Sequence, residues 1–343
     1  MEAPSVRFGL WYDFRSPPQW GIPFGQLYRE NLEQIRWAET LGYGSVWLSE
    51  HHFAEDGYLP SLTVMAGAIL GRTREMLVGT AALLLPLHNP VRVAEDAAVL
   101  SLLSGGRFVL GVAMGYVEEE FHGFGIPRRN RPSLLEVGVQ VIRRAWKGQA
   151  LGFTGRRYRF PGVVVTPAPE REPLLATAAL QEPGIRRAAR LEAARLSEGF
   201  VAANSAALPI YLQALQEAGG DPQRTNLFVG LWCVVDEDPE RAWQEVGPHA
   251  LYQMNVYVRW GAFAAPVFED PAQLLEVGAY QALDGEAAAR EITSLLRQYP
   301  QVRDVYLWAR FPGEGIRTSA RRVEYFARKV IPQVSALLRE GRG

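Results

Sequence analysis

Val6-Arg7-Phe8-Gly9-Leu10-Trp11-Tyr12, followed by Asp13-Phe14-Arg15-Ser16-Pro17, is the stretch on which the fold turns. Its first seven residues are mostly apolar or aromatic and suit a buried strand. In a doubly wound dinucleotide-binding sheet, the turn after such a strand would carry Gly-x-Gly-x-x-Gly so that the backbone could approach a pyrophosphate. Tyr12 to Pro17 contains no glycine. The first βα turn therefore argues for a barrel.

Working outward, strands and helices alternate. Leu27, Leu32, Ile35, Ala38 and Leu41 keep helical spacing, and Gly42 to Gly44 stops that helix. Ser45 to Ser49 reads as strand two, Ser61 to Gly71 as a helix, and Leu77 to Ala82 as strand three. Asn89-Pro90 caps a helix that ends at Ser104-Gly105-Gly106, ahead of strand four at Phe108 to Val112. Leu134 to Trp146 is helical, and Phe153 to Gly155 with Tyr158 to Phe160 suits a small hairpin. Leu174 to Ala178 is strand five, Ile185 to Leu196 its helix, and Gly199 to Ala203 a weak sixth strand. Leu227 to Val235 and Val305 to Ala309 complete the strands, and Ala320 to Leu337 closes the chain as an amphipathic helix on the outside. The expected architecture is α/β: a single (β/α)8 TIM barrel with insertions over residues 1–343. The aromatic and Ala-rich stretch 246–283 has no clean periodicity and is a candidate lid or insertion.

The chain has 343 residues, and its 36 Lys plus Arg against 37 Asp plus Glu give a formal charge of -1. Without a basic stripe, a nucleic-acid partner is not expected. A lone Cys233 cannot make an internal disulfide, and no leader or membrane-length apolar run is evident. A cytoplasmic location is expected.

Barrel chemistry sits at the C-terminal ends of strands. After strand two stands Glu50-His51-His52-Phe53. Adjacent histidines in extended chain point to opposite sides, which argues against a shared metal ion. They read either as one surface and one packed histidine, or as one imidazole aimed into the mouth as proton donor or base. The small residues at Ala81-Ala82 either let a flat ligand approach the backbone or serve tight packing. Glu118-Glu119-Glu120 reads as a solvated face, and no metal-binding spacing occurs.

Together, Gly44 to Phe53, the Val78 to Asp96 segment, Leu103 to Phe108, Gly111 and Phe121 to Gly125 resemble the bacterial luciferase-like family of flavin-dependent monooxygenases. The resemblance implies a barrel that binds reduced FMN at its mouth, often as a dimer. His51 is similar to the family histidine beside the flavin C4a position. Ala81-Ala82 resembles the non-proline cis peptide behind the isoalloxazine ring, and Glu50 and Ala178 fall at cofactor-contacting positions. Glu120 resembles the acidic residue after strand four, and Arg131 the arginine that meets the FMN phosphate. Met114 stands where luciferases carry a second phosphate-binding arginine, just after Ala113 in place of a reactive cysteine. Leu180 to Gly184 replaces a Ser/Thr phosphate cradle; Pro183 lacks an N–H, and Glu182 would repel a phosphate unless it points away.

What the resemblance implies is a monooxygenase taking reduced FMN from a separate reductase, a transient partner, and reacting it with O2 through a C4a-(hydro)peroxyflavin. The substrate would be a small, apolar organic molecule, an aldehyde or an aromatic. Two alternatives stand beside it: an F420-dependent hydride-transfer oxidoreductase, and a non-catalytic flavin-binding accessory subunit. A homodimer through Ser61 to Gly71 and Val91 to Leu103, both rich in Ala, Gly and Leu, is also expected.

Overall fold

The computed structural model describes residues 6–191, 193–199 and 201–340. Eight parallel strands among these residues make the barrel: β1 (Arg7–Tyr12), β2 (Ser45–Leu48), β3 (Leu77–Thr80), β4 (Phe108–Ala113), β5 (Leu174–Ala178), β6 (Ala194–Gly199), β7 (Leu227–Leu231) and β8 (Val302–Trp308). Each pairs with the next, and β8 returns to β1 with Phe8 opposite Val305. The longer helices are α1 (Phe24–Thr40), α2 (Leu62–Leu70), α3 (Pro90–Ser104), α4 (Arg131–Trp146), α5 (Glu182–Arg190), α6 (Val201–Glu217), α7 (Pro239–Arg259), α8 (Gly285–Gln298), α9 (Ile316–Tyr325) and α10 (Ile331–Glu340).

Strand alternation sorts the core into two layers. In β1, Phe8, Leu10 and Tyr12 join the layer beneath the helices, while Trp11 faces the barrel interior with Trp47, Val109, Ala176, Leu196, Phe228, Tyr306 and Trp308. Burying side chains of this size stabilises the fold by roughly 1.5–3 kcal/mol each. Two close approaches require glycine. A Cβ on Gly79 would lie 2.3 Å from the Trp47 ring, and one on Gly111 would lie 1.9 Å from the Thr80 carbonyl oxygen. At that seam the Thr80 hydroxyl donates to the Gly111 carbonyl (2.7 Å) and accepts the Gly111 N–H (2.9 Å).

Several expectations change, among them the helix expected over Ile185 to Leu196, which ends at Arg190 and gives way to β6 at Ala194. Strand three stops at Thr80; Ala81-Ala82 is a cis peptide, and Leu83–Leu84 then pairs with β4. The sixth strand is Ala194–Gly199 rather than Gly199 to Ala203; residues 201–203 begin α6, and Phe200 lies outside the described residues. Arg195 and Ser197 make this strand look helical and polar, yet Arg195 is buried and its guanidinium donates to the Thr177 and Ala179 carbonyls. Leu227 to Val235 divides at Trp232, and Cys233–Val235 pairs separately with Gln281–Leu283. The stretch 246–283 begins as the second half of α7, apolar around most of its surface because it packs on both the barrel mouth and its own following loop. The expected hairpin forms from Leu151–Thr154 and Arg159–Val163, and the C-terminal helix is interrupted by a wider turn at Phe326–Val330. No helix among the described residues is long and apolar enough to cross a membrane.

Candidate active site

A cavity of about 490 Å³ opens at the C-terminal ends of the strands. Its floor has two unlike arcs. Ala81, Ala82, Ala113 and Ala178, from the tips of β3, β4 and β5, present little more than backbone and methyl groups. Opposite them, Trp11, Trp232, Tyr58, Tyr257 and Phe263 form an aromatic wall. A run of small residues of this kind suits a flat ring system, and Leu84, Met114 and Leu196 line the cavity beside it. A wider hollow of about 920 Å³ adjoins the mouth and shares Arg128, Arg131 and Pro132 with it, but none of the strand-tip residues.

His51 lines this cavity and is held from behind. Its Nδ1 lies 2.8 Å from Glu120 Oε1, and the same oxygen accepts the His52 backbone N–H at 2.8 Å. The other ring nitrogen, Nε2, lies 3.1 Å from the Tyr116 hydroxyl, so both nitrogens of the imidazole have a polar partner. The rings of Tyr58 and Trp260 pack at 4.7 and 4.6 Å from the imidazole and keep water from its flanks. Glu120, expected on a solvated face and among cofactor contacts, is fully buried and does not line the cavity. Its place is behind His51. The helix Glu118–Gly123 presents Glu118 and Glu119 outward and turns Glu120 in, which a run of like residues does not reveal.

Glu50 also lines the cavity, but its carboxylate is spent on its neighbours. Oε1 accepts from His52 Nε2 (2.6 Å) and His88 Nε2 (2.7 Å), and Oε2 accepts from the Leu84 N–H (3.2 Å). Burial opposes ionisation of Glu50, yet the two imidazoles outweigh it and hold the carboxyl below its usual range. His88 moves up, because the Glu50 bond and charge overcome its own burial. His52 is thus packed rather than on the surface, and the ligating atoms of Glu50, His52 and His88 lie within 4.8 Å of one another. Hydrogen bonds account for that grouping.

At the far end three guanidinium groups gather. Arg131 makes no hydrogen bond or ion pair among the described residues; burial, with the charges of Arg128 and Arg187, lowers its pKa. Arg128 pairs with Glu118 at 2.9 Å but leaves a buried Nε unpartnered. Arg187 of α5, unmarked in the sequence, donates Nε to Glu136 at 2.7 Å and brings Nη1 to 3.5 Å from the Met114 sulfur. Glu182 pairs with Arg186 at 2.8 Å, and the residues of that loop lining the cavity are Leu180, Gln181, Pro183 and Gly184.

The segment after β7 is tied down by buried polar contacts. Tyr252 donates to Asp56 (2.9 Å), Gln253 to Asp13 (3.2 Å) and Tyr280 to Gln253 (2.6 Å). Arg15 lies between Asp13 and Asp56, its guanidinium carbon 4.9 Å from the Tyr58 ring centre and 5.8 Å from that of Trp260.

The model of the family described as luciferase-like monooxygenase matches residues 6–317. The chain belongs to the luciferase-like monooxygenase family. Within the family, it is 33% identical to an alkanal monooxygenase alpha chain of Photorhabdus luminescens over 163 residues, 48% of this chain and 45% of that one. The chain thus spans about half the length of the curated relatives it matches. Among solved structures, the fold is similar to the oxygenating constituent of 3,6-diketocamphane monooxygenase from Pseudomonas putida in complex with FMN (TM-score 0.81, 18% identity, 96% of this chain and 99% of that one). It is also similar to an F420-dependent secondary alcohol dehydrogenase (TM-score 0.74, 18% identity, 96% and 99%). At these identities the structures share the barrel.

Proposed function

We propose that this chain is a monooxygenase that binds reduced FMN, delivered by a separate reductase, and uses O2 to oxygenate a small apolar substrate. The observation that carries this reading is His51, fixed through Nδ1 by buried Glu120 and lining the same cavity as the alanine arc and the three guanidinium groups. Ala81, Ala82, Ala113 and Ala178 would hold the flat ring, and Arg131 would hold the phosphate. The bound flavin would supply electrons for the activation of O2. The protein's part is to exclude water with Tyr58, Tyr257, Trp232 and Phe263, and to give or take a proton at His51 Nε2. Membership of the monooxygenase family and likeness to an FMN-bound barrel support the reading. On this reading the stretch 246–283 is the wall or lid of the substrate side, and the protein works in the cytoplasm as a homodimer through α2 and α3. The test is anaerobic binding of reduced FMN followed by O2 addition. Oxygen uptake with incorporation of one labelled oxygen atom into an aldehyde or aromatic substrate is the expected result, and flavin oxidation with no difference from free flavin overturns it.

A second reading, F420-dependent hydride transfer, rests on one feature. The hollow beyond Arg128 and Arg131 leaves room for a cofactor whose phosphate is followed by a further tail. Hydride transfer to or from F420 without oxygen uptake would establish it.

A further inference from the structure

The strand tip that would offer a cation to the phosphate carries Met114, and yet the cavity is not short of positive charge at that place. Arg187 reaches Met114 from a different element, the second turn of α5, with Nη1 against the sulfur and Nε fixed on Glu136 Oε1. Its side chain is 17% exposed, so the guanidinium is sheltered but faces the cavity. Two observations besides this contact mark the spot as built for an anion. Arg131 has no hydrogen bond or ion pair among the described residues, and the buried Arg128 Nε is left without an acceptor. Clustered like charges and orphaned donors raise the free energy of the empty site, and an anion relieves both at once.

We infer that Arg187 has taken over the phosphate-binding role vacated at Met114, so that Arg187 and Arg131 grip the cofactor phosphate from α5 and α4 while Glu136 sets the Arg187 fork. This rests on the proposed use of a phosphate-bearing flavin. Arg187 spends Nε on Glu136, which leaves its terminal nitrogens for the ligand and orients them. Met114 serves as a neutral, polarizable bed for the guanidinium where a second strand-tip arginine would repel it.

The experiment measures equilibrium binding of reduced FMN, riboflavin and F420 under argon to the full chain and its Arg187→Ala, Arg187→Lys and Glu136→Gln variants, with melting curves to confirm folding. Arg187→Ala should weaken FMN about 10- to 100-fold and leave riboflavin unchanged, since riboflavin lacks only the phosphate. Arg187→Lys should recover part of the loss, and Met114→Arg in the Arg187→Ala background should recover most of it by returning the charge to the strand tip. Equal loss for FMN and riboflavin, or none for either, overturns the role of Arg187 and leaves the FMN reading standing. Binding of F420 alone, still dependent on Arg187, overturns the FMN reading and keeps the role. A wild-type chain that binds neither phosphate cofactor more tightly than riboflavin overturns both.

Discussion

Glu120 Oε1 lies 2.8 Å from His51 Nδ1 and accepts the His52 backbone N–H at 2.8 Å, so a single buried oxygen holds the angle of the imidazole and ties it to the backbone beside it. Replacing His51 with Ala should lower turnover by about 10²–10⁴-fold with flavin binding nearly unchanged, because proton assistance acts mainly in the transition state, and should also lower the melting temperature, because buried Glu120 loses a hydrogen-bond partner. Glu120→Gln should retain part of the activity but move its pH profile, since a neutral amide no longer favours the same imidazole state. Single-turnover flavin oxidation, followed across pH beside a melting curve, checks both; a His51→Ala protein that melts early yet turns over normally would show a structural role instead.

Glu50 and His88 form a pair whose contribution to stability is confined to a pH window. The Glu50 pKa is lowered in the fold, so its share is present above about 4.5 and fades as pH falls through the folded value. The His88 pKa is raised, so its share is present below about 6.5 and fades as pH rises through the folded value. His88→Ala should therefore cost most between these limits, about 1–3 kcal/mol from an under-satisfied buried carboxylate, and less at pH 8. Thermal melts at pH 5.5 and 8 read the difference.

Arg131→Ala should cost about 1.5–3 kcal/mol of cofactor affinity, because no partner among the described residues competes for this guanidinium. Isothermal titration with reduced FMN under argon measures the loss, and unchanged affinity would place the phosphate elsewhere.

Asp304 sits inside the barrel with Ser45 Oγ 2.8 Å away, and burial pushes its pKa up to about 7 against the Ser45 bond and the Arg7 charge. The fold thus favours the protonated acid. Its stabilising share is complete below about pH 3.8 and is lost progressively as pH rises to about 7. Asp304→Asn should flatten the fall in melting temperature between pH 5 and 8, and an unchanged slope would assign that fall to other groups.

Val64, Val99 and Leu103 on α2 and α3 are exposed by 71%, 50% and 64%. Apolar side chains of this size grouped on two packed helices suit a contact between copies of the chain. The protein is expected to sediment as a dimer at micromolar concentration, and Leu103→Glu with Val64→Glu should yield a monomer.

Most of the barrel was legible because its signals are local. Leu174–Ala178 matches its expected bounds, and the Asn89 cap and Gly105 stop bracket α3, with Asn89 Oδ1 accepting the Val91 N–H and Gly105 in a left-handed conformation. The sixth strand was not legible, because burial of Arg195 depends on carbonyls of the neighbouring strand. The site divides the same way. His51 and the alanines stand at strand tips, where position alone suggests a role. Arg187 lies on a helix side among other arginines, and only its approach to Met114, 73 residues away in sequence, distinguishes it. Tyr116 could have been noticed from its place just after Gly115, at the end of β4.

The unequal arcs of the barrel mouth also bear on how the protein can diversify. Trp11 stacks on Trp308 at 4.0 Å, and Trp232 meets them at 6.5 and 6.4 Å, so these three indoles form one mechanical unit. Substitutions among them will be strongly epistatic, each reshaping the space available to the others. The methyl groups of Ala81, Ala113 and Ala178 come from other elements of the barrel mouth and pack in or against the same apolar cluster as these indoles without joining the ring stack. On the proposed reading, a lineage or a library would explore new substrates by trading whole sets of indoles while keeping the alanines that would hold the flavin ring.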